Sequence, residues 1–230
     1  MKCWICGADA DSREHLVKAS DIKSVFGSEV THKSPLYLHN GRARNQAVGS
    51  IKSKSLKYTP VICSCCNNKR TQPHDRAWQK LSEYIRNRQP PVQRGSAILL
   101  SHIFPGSVHG SMLRVHLFFL KQFGCLISEH GVPLAIKPFA QAILTETAHP
   151  KVHIAFWLDL GPPGRRQVAR SHVQTAQLHG QTVYAGWFYI VDRLAVNVMY
   201  SEPEEHRMGL VQAWHPSTIG KRVVMVGRKT

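Results

Sequence analysis

Acidic side chains are scarce in this sequence: 14 Asp and Glu face 30 Lys and Arg, giving a formal net charge of +16 and a pI near 10.0. So large a positive excess suits a chain that meets a polyanion, because each neutralised phosphate releases counterions and long-range attraction speeds encounter. Long apolar runs are missing as well, so neither a membrane-spanning helix nor a membrane partner is expected. A secretory signal needs a charged start and a continuous apolar stretch, and here Cys3 stands in its place, so a reducing, cytoplasmic setting is expected. No internal repeat or low-complexity tract follows, which argues against a solenoid or an array.

What is present is enough apolar material for a core. Hydrophobic residues make up 43% of 230, which suits one large or two small globular domains. The stretch NRQPPVQRGS reads as a linker and suggests a division into residues 1–92 and 93–230. Charge is uneven across that region. Residues 1–94 hold 17 basic and 7 acidic side chains and residues 95–230 hold 13 and 7, so the N-terminal part is the stronger candidate for a phosphate-facing surface.

Cysteines occur at positions 3, 6, 63, 65, 66 and 125. Two Cys-x-x-Cys pairs in a reducing setting point to a metal, since each pair presents two thiolates from one tight turn and two pairs complete a tetrahedron around Zn²⁺. Cys3 and Cys6 form the first pair, and Gly7 helps that turn fold back. In the second, CSCC, the two-residue gap selects Cys63 and Cys66; Cys63 with Cys65 is the poorer alternative. Cys125 lies in the apolar run FFLKQFGCLIS and reads as a buried, inert thiol.

A zinc closed by four thiolates has no open position, so any chemistry must come from residues that it positions. Glu14 and His15 follow the first pair, and Asn67 and Asn68 follow the last cysteine. Carboxylate and amide oxygens are hard ligands suited to Mg²⁺ or Mn²⁺, and a neutral imidazole can take a proton from water. The order Cys-x-x-Cys, acidic residue plus His, Cys-x-x-Cys-Asn resembles the zinc-stapled branch of the HNH endonucleases, which share the ββα-metal fold. The likeness covers about residues 1–90 and rests on the order and adjacency of its four elements. It implies that Glu14 is a ligand of a catalytic divalent ion, His15 the general base and Asn67 the distal ligand, with Asn68 second choice. Many members carry Asp where this chain has Glu14. The middle Asn of the family name, which positions the His, falls on Asn40 or Asn45. Carried further, the likeness implies hydrolysis of DNA, double-stranded in the first instance, in the cytoplasm of a bacterial or phage-infected cell.

Lys69 and Arg70 fall next to this site, where cations can hold a scissile strand. The polar insertion LYLHNGRARNQAVGSIKSKSLKYT is expected as a long loop whose Arg42, Arg44, Lys52, Lys54 and Lys57 meet phosphates. Helical spacing in QPHDRAWQKLSEYIRN predicts the α of the ββα unit, with Pro73 near its start, Asp75 charging its N-terminus and His74 exposed, although metal or phosphate contacts by His74 and Asp75 are the alternative.

Beyond the linker, residues 108–130 and PLAIKPFAQAIL read as helices. VHIAFWLDL and RRQVARSHVQTAQL read as two strands joined by a GPPG turn, with TVYAGWFYIVDRLAVNVMY and KRVVMVGR adding more. The fold expected is α+β: an N-terminal zinc module followed by an α+β domain with a mostly antiparallel sheet, serving substrate selection, homodimerisation or partner binding. The rival to a nuclease is a non-catalytic zinc-ribbon protein that binds nucleic acid or scaffolds a complex; RNA in place of DNA is a third reading.

Overall fold

The computed structural model describes residues 1–40, 44–158, 166–218 and 222–226. At the start, the Cys3 N–H donates to Ala8 O at 2.7 Å and the Gly7 N–H to Cys3 O at 2.8 Å, closing a turn in which Gly7 takes φ 76°. That left-handed conformation carries a steric penalty for any residue with a Cβ. The chain then runs antiparallel to residues 56–62, with N–H bonds from Ser12 to Ile62 O at 3.0 Å, Tyr58 to Glu14 O at 2.9 Å and Leu16 to Leu56 O at 2.9 Å. This ribbon holds Glu14 and His15 opposite Lys57 and Tyr58.

Between the arms of the ribbon lie helix α1 (Ala19–Phe26), strands β1 (Leu36–Leu38) and β2 (Gln46–Val48), and a 3₁₀ turn at Lys54–Leu56. The insertion expected as a loop therefore contains an antiparallel hairpin, in register from Leu36 opposite Val48 to Leu38 opposite Gln46. Arg42 lies outside the described residues. After Cys63 the backbone widens into a π-helical stretch over Cys65–Arg70 and then tightens into α2 (Gln72–Asn87), with Pro73 in the first turn, where its missing N–H is harmless.

The remainder combines β3 (Ala97–Leu99), α3 (Leu100–Ile103), α4 (Val108–His130) and α5 (Ile136–Thr145) with an antiparallel sheet. That sheet contains β4 (Val152–Leu158), β5 (Val168–Arg170), β6 (Gln174–Leu178), β7 (Gln181–Val191) and β8 (Leu194–Ser201), ordered β4-β8-β7-β5 with β6 also on β7. A short α6 (Met208–Val211) follows, and β9 (Arg222–Val224) returns to pair antiparallel with β3. Two expectations are corrected. RRQVARSHVQTAQL splits into β5 and β6, each paired with a different part of the 11-residue β7, because residues 171–173 leave the ladder. β4 pairs with β8, not with the strand that follows it. The GPPG turn lies outside the described residues. No helix among them is long and apolar enough to cross a membrane.

The core is continuous across residue 92. Trp78 of α2 stacks on Phe118 of α4 at a centroid distance of 5.5 Å, and both meet Tyr189 of β7 edge-on. Such pairs add about 0.5–1.5 kcal/mol each beyond their burial. Asp21 of α1, 1% exposed, accepts from Trp78 Nε1 at 2.8 Å and Tyr189 OH at 2.7 Å, so one carboxylate ties α1 to both. Helix α4 runs through the middle, buried continuously from Val115 to Ile127. A Cβ at its Gly124 would stand 2.3 Å from the Trp4 ring, so glycine is what lets the first cysteine turn rest on the helix.

Candidate functional site

The four sulfur atoms of Cys3, Cys6, Cys63 and Cys66 all lie within 4.8 Å of one another, with Cys6 and Cys63 at 3.6 Å. Four thiolates at Zn–S distances of about 2.3 Å stand about 3.8 Å apart in a tetrahedron, so the donor set and its spacing fit zinc. It is the one group of Cys, His, Asp or Glu among the described residues that meets such spacing. Cys65 is exposed and outside the cluster, which settles the ambiguity of CSCC in favour of Cys66. Burial pushes the Cys3 and Cys66 thiols up, whereas the Ala8 backbone N–H holds Cys6 down to about 7. Bound metal would favour the thiolate at all four. Arg70 donates to Cys66 Sγ at 3.0 Å.

An open cleft of about 360 Å³ reaches the second cysteine turn at Asn67 and Asn68, directly after Cys66. The ribbon brings Glu14 and His15 to it, the π-helical stretch brings Asn67 and Asn68, Lys18 comes from just before α1, and α2 supplies Asp75 and Arg76. Asn67 Nδ2 donates to Ser12 Oγ at 3.0 Å, which fixes the amide and leaves Oδ1 as the available hard donor. Thr71 Oγ1 donates to the Cys66 and Asn67 carbonyls at 3.0 and 3.1 Å, beside the Thr71 N–H bond to Cys66 O at 3.2 Å, so the wide turn that presents Asn67 is pinned at its end.

His15 Nε2 lies 3.3 Å from Ile51 O. A carbonyl only accepts, so Nε2 carries the proton and Nδ1 is the basic nitrogen. Burial pulls the His15 pKa below its ordinary value, partly opposed by the adjacent Glu14 carboxylate, so the ring is neutral near pH 7. Glu14 is buried. Its Oε1 accepts the His15 N–H at 2.8 Å, and its Oε2 meets Lys121 Nζ at 2.7 Å. Burial alone would raise the Glu14 carboxyl, yet the Lys121 ammonium outweighs it and holds Glu14 below the ordinary carboxylate range.

Asp75 also reaches Lys121, at 2.8 and 3.1 Å, and so serves as more than a helix N-terminal charge. His74, expected on the surface, is fully buried with its pKa pushed down to about 4 by burial and by Lys121 and Arg114. The cause is geometric: position 74 lies one and two turns before the buried Ala77, Trp78 and Leu81, on the face of α2 that packs against α4. Lys69, Arg44, Lys52 and Lys54 are exposed and none lines the cleft; Lys57 is half-buried near His15. Residues that sequence reasoning missed are Lys18, Arg76 and Lys121. Only Lys121 carried a readable signal, a charge in the middle of an apolar helical run. Comparison with protein-family models, with curated proteins and with solved structures finds no match.

Proposed function

We propose that the protein is a metal-dependent endonuclease of HNH type that hydrolyses phosphodiester bonds in DNA, with a structural zinc on Cys3, Cys6, Cys63 and Cys66. The observation that carries the reading is that the adjacent Glu14 and His15 and the distant Asn67, which directly follows Cys66 of the four-cysteine cluster, line one open cleft. A scaffold would have no need for that convergence.

In this reading His15 Nδ1 takes a proton from a water aligned with the scissile phosphorus, and the Ile51 carbonyl and the Glu14 charge favour the imidazolium that forms. Glu14 and the Oδ1 of Asn67 are the residues that would hold a Mg²⁺ or Mn²⁺ ion. When bound, such an ion offsets charge on the phosphate and on the leaving oxygen. Lys18 and Arg76 in the cleft face a backbone that carries a charge on every nucleotide. Exposed Lys69, Arg44, Lys52 and Lys54 extend that positive field beyond the cleft.

Nicking of supercoiled plasmid in Mg²⁺ or Mn²⁺, beside an EDTA control and the His15→Ala variant, tests the reading. Cutting that disappears in both controls is expected, with duplex binding and zinc content retained by the variant. Zinc-loaded, folded protein that binds DNA and never cuts would favour the scaffold; cleavage confined to RNA would reassign the substrate.

A further inference from the structure

Lys121 sits in the fully buried stretch of α4, far along the chain from the cysteine turns, with 1% of its side chain exposed. An ammonium in such a place is strongly unfavourable unless it is paired and hydrogen-bonded. Its Nζ lies 2.7 Å from Glu14 Oε2, 2.8 Å from Asp75 Oδ1 and 3.1 Å from Asp75 Oδ2. Both carboxylates line the cleft, so the lysine comes up through its floor and stands between its two acidic groups.

Two carboxylates with nothing between them would draw a divalent cation inward. With one ammonium between them, the trio keeps a single net negative charge, and Glu14 Oε2 and both Asp75 oxygens are already engaged by Nζ. We propose that Lys121 is the resident cation of the cleft: it excludes a divalent ion from the Glu14–Asp75 pair and holds Glu14 so that any such ion sits on the solvent side, toward Asn67. The consequence for cleavage rests on the nuclease reading above; the exclusion of a divalent ion from the pair does not.

The test replaces Lys121 by Met in the full-length, zinc-loaded chain and uses Mn²⁺ as the probe. Thermal unfolding is followed with and without Mn²⁺, and plasmid nicking is measured in parallel. The Lys121→Met chain is expected to gain more in Tm from Mn²⁺ than the unaltered chain does, since the ion takes the place the ammonium has left. It is also expected to nick at least about tenfold more slowly, a typical effect of losing a group that orients a ligand.

Equal stabilisation of the two chains by Mn²⁺, or undiminished nicking by the variant, overturns the inference. If the variant gains the Mn²⁺ response while neither chain cuts, the resident cation stands and the cleavage reading alone fails. Should Lys121→Met stay unfolded at millimolar Mn²⁺ while the Lys121→Met/Asp75→Asn chain folds without it, only charge burial is at stake and the inference is again overturned.

Discussion

Acid should loosen this fold well before its carboxylates are all protonated, and His149 is the residue on which this is most easily measured. The side chain lies between α5 and the sheet, 3% exposed, with its ring 4.5 Å from that of Phe139. Its Nδ1 accepts the Lys151 N–H at 3.2 Å, so the neutral ring carries its proton on Nε2. Burial first, and then the Lys151 charge, push its pKa down to about 4. His116 and His215 lie close by, which makes a second positive charge there still less welcome.

The sign follows from proton counting. In the unfolded chain His149 binds a proton below its ordinary pKa near 6.5, whereas in the native state it does so only near 4, so between those values the unfolded state holds more protons and stability rises with pH. The contribution is whole above about pH 6.5 and is lost as pH falls toward about 4, amounting to about 3 kcal/mol at most at 1.36 kcal/mol per unit. Urea unfolding from about pH 7.5 to about pH 4.5, run on the unaltered chain and on His149→Asn, isolates this group, because the buried His74 and His116 are common to both. Asn keeps an acceptor for the Lys151 N–H and does not titrate. The unaltered chain should lose about 2–3 kcal/mol more than the variant over that range. Parallel stability curves would refute the reasoning.

Two further predictions concern the cysteine turns. Cys65→Ser should keep one zinc per chain by elemental analysis and Cys66→Ser should lose it, because only Cys66 lies in the cluster; stripping the metal from the unaltered chain should lower its Tm. Gly124→Val should destabilise by about 1–3 kcal/mol in urea unfolding, the usual range for overpacking. The new Cβ meets the Trp4 ring at 2.3 Å, so Trp4 fluorescence should shift as well. A valine variant of unchanged stability would mean that the first cysteine turn does not rest on α4.

The extent to which this fold can be read from its residues depends on how local each determinant is. Helix α4 runs from Val108 to His130, the span its apolar pattern predicts, and α2 begins beside Pro73, because helical periodicity and a proline near the N-terminus are local facts. The cysteine cluster was legible for the same reason: a two-residue gap limits which thiols share a turn. Strand pairing was not. Whether β4 lies beside β5 or β8 depends on how an 11-residue strand shares its two edges, which no short window contains. The burial of His74 likewise depends on the helix packed over it, some forty residues further along the chain.

Lys121 shows where the two kinds of information meet. Its position in FFLKQFGC is anomalous by itself, since a lysine on an otherwise apolar helix must either reach solvent or find a carboxylate. Asp75 is ambiguous by itself too, reading as a charge that favours a helix N-terminus. Each residue has a bland local explanation, and only the packing of α4 beneath α2 and the ribbon removes both by joining them to Glu14. The same helix that stacks Phe118 on Trp78 and accommodates Trp4 at Gly124 therefore also sets the charge of the cleft floor. It follows that residues 1–92 do not contain the whole of the candidate site, although they contain every side chain that a motif could have found. A substitution that shifts α4 should therefore disturb Glu14 through Lys121 and the first cysteine turn through Trp4, two parts of the ribbon that rest on one helix.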